Sequence, residues 1–228
     1  MSELKRGLIV SCQAVKGEPL YGYNIMDLFA LAAKEGGACG IRCLIDDIDA
    51  IKKRVDLPII GLVKETYPDS QIYITPTKED VERLSKTECD VLCMDATLRK
   101  RPGNLTLEEL YNYARSIAPD KYLMADVATI EDAINADKLG FDYISTTMRG
   151  YTEDTKNVVL PDIAFVKEVK SKTKHAKIIA EGGFFEACQM ELVSKVNPFA
   201  VVVGSAITRP KVITEHLLKS LEIGRAHV

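Results

Sequence analysis

Short β-branched runs alternate with longer amphipathic stretches from one end of this 228-residue chain to the other, and no linker or low-complexity segment interrupts them. The alternation repeats through eight strand–helix units. Repeated right-handed β-α crossovers make a parallel sheet, and eight units in roughly 200 to 250 residues close it, so an α/β protein built as a (β/α)8 TIM barrel is predicted. Residues 1–228 are read as one barrel domain.

The first strand is LIVSCQ and its helix NIMDLFALAAKEG, which Gly37 is placed to stop. ACGIRCL is followed by DDIDAIKKRVD. IIGLVK, a near-continuous apolar run of the kind buried on both faces, is followed by TKEDVERLSKT. The middle units are VLCMDAT with TLEELYNYARSIA, YLMADV with TIEDAINADKLG, stopped at Gly140, and YISTTM with PDIAFVKEVKSK. KIIAEGG with FEACQMELVSKV and AVVVGSAIT with KVITEHLLKSLE complete the set. Three helix starts carry capping signals: Thr77 before Lys78-Glu79-Asp80, Thr106 with Glu109 three residues on, and Thr129 before Glu131-Asp132.

A hydrophobic content of 46% supplies a sizeable core, while a net charge of −3 from interspersed acids and bases leaves no basic stripe for nucleic acid and no polybasic segment for an anionic membrane. A small-molecule partner is expected instead. The start, MSELKRGLIVSCQ, lacks a signal-peptide pattern and no segment approaches the roughly 20 apolar residues of a membrane span, so a cytoplasmic location is expected. Among six cysteines, Cys39/Cys43 and Cys89/Cys93 have spacings that zinc ligands use. Both pairs sit in apolar strand-like runs without a nearby histidine, which reads as core packing and no metal site.

Barrel active sites lie at the C-terminal ends of the strands. Gln13, Arg42, Lys64, Asp126 and Glu181 all fall at or near such ends. Any one of them has a plain alternative as a rim residue or stabilising ion pair, but five converging on one mouth point to a site. Barrels also bind phosphate on the loops after strands seven and eight, aided by a short helix N-terminus. Those loops read Glu181-Gly182-Gly183 and Gly204-Ser205-Ala206. Glycine admits the backbone to phosphate oxygens, Ser205 adds a hydroxyl, and Arg209 a charged fork, so Gly182, Gly183, Gly204, Ser205 and Arg209 are the candidate phosphate residues.

Over nearly the whole barrel the chain resembles the N-acetylmannosamine-6-phosphate 2-epimerase family of bacterial phosphosugar epimerases. The resemblance rests on SCQA, on GIR at Gly40-Ile41-Arg42, on IIGLVKETYPDSQIYITPT, on MADV at Met124 to Val127, on STTMRGYT at Ser145 to Thr152, and on AEGG and VVVGSAITRP. It implies interconversion of N-acetylmannosamine 6-phosphate and N-acetylglucosamine 6-phosphate in amino-sugar and sialic acid catabolism, by proton removal and return at C2 without a cofactor. It also implies Lys64 and Glu181 as the catalytic pair, with Gln13, Arg42 and Asp126 on the substrate side. Phe184-Phe185 and Arg149 depart from the family's pattern and bear on the phosphate loop. The rival readings are a Schiff-base enzyme of the aldolase type, since a strand-end lysine can also attack an aldehyde, and a non-catalytic phosphosugar-binding protein. A homodimer is left open. Residues 222–228 end in EIGRAHV, which a common sequencing-adapter string would encode, and are expected to be a non-native tail.

Overall fold

A computed structural model of the protein describes residues 2–225. Eight strands form a closed parallel barrel in sequence order: β1 (Gly7–Cys12), β2 (Gly40–Leu44), β3 (Ile59–Leu62), β4 (Val91–Asp95), β5 (Tyr122–Asp126), β6 (Tyr143–Ser145), β7 (Lys177–Glu181) and β8 (Ala200–Val203), with β8 pairing back to β1. The helices are α1 (Met26–Glu35), α2 (Ile48–Arg54), α3 (Lys78–Ser85), α4 (Leu107–Ile117), α5 (Ile130–Leu139), α6 (Ile163–Lys172), α7 (Ala187–Val196), the single turn α8 (Ser205–Thr208) and α9 (Pro210–Arg225).

The period of two along each strand sorts its side chains into two cores. Val10, Ile41, Cys43, Leu92, Leu123, Ile144 and Ala180 face outward into the layer shared with the helices. Ile9, Ile60, Leu62, Val91, Cys93, Met124, Ile179 and Val202 fill the lumen. Cys43, Cys89 and Cys93 are fully buried as small apolar side chains. At Gly61 the outer layer closes most tightly: a Cβ there would lie 2.8 Å from Ile48 Cδ1 and 2.9 Å from Cys89 Cβ. Glycine is what lets α2 and α3 seat directly on β3.

All three capping signals form as reciprocal boxes, Thr77 with Asp80, Thr106 with Glu109 and Thr129 with Asp132. Aspartate thus fills the closing position in two of them, where glutamate or glutamine is usual. Gly140 ends α5 in the left-handed region at φ 95°, and Gly37, at φ 93°, follows α1.

Several strand ends come earlier than the apolar runs. AVVVG stops at Val203 because Gly204 turns the chain into α8, where its carbonyl accepts from Ile207 N and Thr208 N at 2.9 Å. YISTTM stops at Ser145 and curls into a 3-10 turn over Thr146–Met148. β3 stops at Leu62, and Lys64 instead bridges antiparallel to Ile74. No helix among the described residues is long and apolar enough to cross a membrane. Of the tail expected at 222–228, residues 226–228 lie outside the described residues, and for 222–225 only a helical backbone within α9 is described.

Candidate active site

The C-terminal mouth of the barrel opens into a cavity of about 410 Å³. Lys64, Glu181, Gln13, Arg42, Gly182, Gly183, Gly204, Ser205 and Arg209 all line it. Nine of the ten residues expected at the site therefore share one space.

Arg42 is the third residue of β2, and strand alternation turns it into the lumen, where it is 1% exposed. A buried guanidinium needs partners for its donors. Nη1 and Nη2 meet Asp126 Oδ1 and Oδ2 at 3.0 and 2.7 Å, a bidentate fork, and Nη1 reaches Glu181 Oε2 at 2.9 Å. Burial works against the charge on Arg42, but Asp126, with help from Glu181, outweighs it and raises its pKa well above the ordinary arginine value.

Asp126, expected on the substrate side, is fully buried and does not line the cavity. It ends β5 beneath the guanidinium and holds it. Glu181 ends β7 with part of its side chain facing the cavity. Burial pushes its carboxyl pKa up and Arg42 opposes the shift. Lys64 is exposed at the mouth, and among the described residues no carboxylate or acceptor pairs with its ammonium. Desolvation by the surrounding walls and then the charge of Arg42 lower its pKa, against the pull of Glu181 and Asp126. Gln13, just past β1, donates from Nε2 to Ser11 Oγ at 2.8 Å, which leaves its buried Oε1 without a protein partner.

At the other wall Gly182 and Gly183 adopt φ of 111° and 73°. A Cβ on Gly183 would sit 2.3 Å from Leu160 Cβ, so only glycine fits this turn. Gly204 lies against Ser11, where a Cβ would come within 3.2 Å of the serine Cβ. Arg209 reaches Ser205 Oγ at 3.3 Å and forms an ion pair with Glu18. Phe184 is buried and Phe185 stacks on His216 at 4.2 Å, both beside the cavity, so the apolar pair forms part of its wall. Arg149 lies elsewhere: it bonds Asp162 and the Ala128 carbonyl and covers the Phe165 ring at 4.4 Å.

Sequence reasoning passed over Thr147, Ser145, Glu18, Tyr73 and Tyr151. Strand alternation could have turned Ser145 inward, but Thr147 lies past the end of β6 in the 3-10 turn, where that alternation does not apply. Among the described residues no group of three or more His, Cys, Asp or Glu is arranged to hold a metal.

The family described as "Putative N-acetylmannosamine-6-phosphate epimerase" matches residues 26–223. A relative from Staphylococcus carnosus with the name "Putative N-acetylmannosamine-6-phosphate 2-epimerase" is 51% identical over 220 residues, 95% of this chain and 97% of that one. Its counterpart in Staphylococcus haemolyticus is 48% identical over 222 residues, 96% of this chain and 99% of that one. The solved structure of the N-acetylmannosamine-6-phosphate 2-epimerase from Clostridium perfringens superposes with a TM-score of 0.88 at 41% identity, covering 93% of this chain and 92% of that one. With the matching barrel and this degree of identity along nearly its full length, the chain belongs to the N-acetylmannosamine-6-phosphate 2-epimerase family.

Proposed function

We propose that the protein interconverts N-acetylmannosamine 6-phosphate and N-acetylglucosamine 6-phosphate, serving amino-sugar and sialic acid catabolism as an isomerase. The observation that carries the reading is the juxtaposition of an unpaired, partly desolvated Lys64 with Glu181 across one cavity whose far wall is glycine-rich and bears Arg209.

The two sugars differ only in configuration at C2, and in the ring-opened form C2 neighbours the C1 aldehyde. Its proton becomes acidic once the enolate charge is stabilised. Lys64, with its lowered pKa, supplies a neutral amine to take that proton. Arg42, locked by Asp126, presents fixed positive charge to the developing oxyanion without reorganising. The unpartnered Gln13 Oε1 suits an N–H of the acetamido group. Glu181, with its raised pKa, is placed to exchange a hydroxyl proton during ring opening. The phosphate would occupy the wall of Gly182, Gly183, Gly204 and Ser205, where Arg209 would trade Glu18 for the substrate's charge.

Family membership supports a small phosphosugar as substrate, turned over without a cofactor, and the interspersed charges support a cytoplasmic, single-domain enzyme that does not act on nucleic acid. Turnover in D₂O tests the chemistry. Deuterium should enter C2 of the epimerised product, and substrate deuterated at C2 should react with a primary isotope effect. Epimerisation with neither signature would overturn the mechanism. Borohydride inactivation that fixes substrate to Lys64 would transfer the assignment to Schiff-base chemistry.

A further inference from the structure

Thr147 stands where two carboxylates compete for one proton donor. Its Oγ1 lies 2.9 Å from Glu181 Oε2, 2.7 Å from Asp126 Oδ1, 2.8 Å from Ser145 Oγ and 3.2 Å from Arg42 Nη1. A threonine hydroxyl has one hydrogen and two lone pairs. Arg42 can only donate to it, so the single hydrogen serves Asp126 or Glu181 and never both. When it points to Asp126, an ionised Glu181 faces the threonine oxygen with no hydrogen between them, and only a proton on Glu181 Oε2 makes that contact a bond. When it points to Glu181, the carboxylate is satisfied in its ionised form and Asp126 keeps its two bonds from Arg42. Ser145, 3.2 Å from Glu181 Oε2, can follow either arrangement with its own rotating hydrogen.

We propose that Thr147 is a two-way switch for Glu181: swinging one hydroxyl hydrogen between Asp126 and Glu181 lets Glu181 stand as an acid in one arrangement and as a carboxylate in the other, with no heavy atom moving. Ring opening of a sugar needs a hydroxyl proton taken in one direction and given in the other, so the switch fits the epimerase reading, on which its use depends. Thr147 is a positioning residue here, because it acts through Glu181.

The charge on the acceptor sets the direction of its effect. In the carboxylate arrangement Thr147 donates to an ionised Glu181, a charge-assisted bond that lowers the carboxyl pKa, while its free lone pair is open to Ser145 Oγ at 2.8 Å. Removing the hydroxyl therefore costs the carboxylate form its stronger bond, which should raise the midpoint of Glu181 titration by about one pH unit. The other groups facing Glu181 are Arg42 from β2, Lys64 beyond β3, Cys93 from β4, Asp126 from β5 and Tyr151 beyond β6. None of them is itself substituted when only Thr147 is changed.

The test needs no substrate. The carboxylic acid C=O band of Glu181, identified in the infrared by its loss in Glu181→Gln, is followed against pH in the full-length protein. Thr147→Val, of equal size, should titrate about one unit higher than the unmodified protein. Thr147→Ala should do the same and takes its place if the valine variant does not fold, while Thr147→Ser should keep the original midpoint. An unchanged or lowered midpoint on losing the hydroxyl, or a serine variant that behaves like valine, would overturn the switch. A normal shift together with failure of the deuterium experiment would leave the switch standing and remove only its proposed use.

Discussion

Asp126→Asn keeps the size of a side chain that never touches the cavity and removes its charge, so it separates holding Arg42 from holding substrate. Arg42 is 1% exposed and Asp126 is fully buried, with two nitrogen–oxygen contacts at 3.0 and 2.7 Å between them. Removing one partner of such a buried pair costs about 3 to 5 kcal/mol, because the remaining charge is left without compensation. Arg42 would retain Glu181 at 2.9 Å and Thr147 at 3.2 Å, which places the expected loss near the lower end, about 3 kcal/mol. At about 2 to 4 °C per kcal/mol for a chain of this size, the melting temperature should fall by roughly 6 to 12 °C. Scanning calorimetry with a parallel urea titration reads this directly, and activity should fall along with it as the guanidinium loses its fixed aim. The double change Arg42→Met with Asp126→Leu, which replaces both charges by apolar groups, should recover most of the stability and none of the activity. A melting temperature for Asp126→Asn within about 2 °C of the unmodified protein would refute the reasoning and return Asp126 to the substrate.

Lys64→Ala should lower turnover by about 10² to 10⁴ or more while leaving phosphosugar affinity within a few-fold, measured by steady-state kinetics beside calorimetric binding. Because the reactive form of Lys64 is the neutral amine and its pKa is depressed, kcat/KM should rise with pH through a midpoint below the ordinary lysine value of 10.5; a limb at or above that value would remove Lys64 as the base. Gly183→Ala would need a Cβ 2.3 Å from Leu160 Cβ at a φ of 73°, so it should raise KM for the phosphosugar well beyond any change in kcat; an unaltered KM would take this loop away from the phosphate.

Much of this molecule is legible in its sequence because the relevant signals are local. The threonines at 77, 106 and 129 each sit three residues from the carboxylate that closes the box, and the eight apolar runs mark eight strands without reference to one another. Arg42 and Glu181 stood out for the same reason, as charges on otherwise buried strands. The reach of each strand was harder to read, since Val203-Gly204-Ser205 continues an apolar run while the backbone turns. Asp126 read as a substrate residue because a strand-end carboxylate looks the same whether it faces solvent or lies under an arginine. Thr147 was invisible for a deeper reason: its importance comes from four partners, Arg42, Asp126, Ser145 and Glu181, that meet it only after four strands have closed. Likewise Glu18 is an ordinary loop acid until folding sets it against Arg209, 191 positions away.

Arg42, Asp126 and Glu181 hang from β2, β5 and β7, so the cluster is strung across the lumen from points spaced almost evenly around the ring. No run of consecutive strands shorter than β2 to β7 contains all three. A partly assembled chain can have every helix capped and most of its apolar surface covered while these groups remain apart. Catalytic competence is then a census of closed rings: it would be zero in any half-barrel, and during refolding it would return with the last strand pairing and after the helical signal.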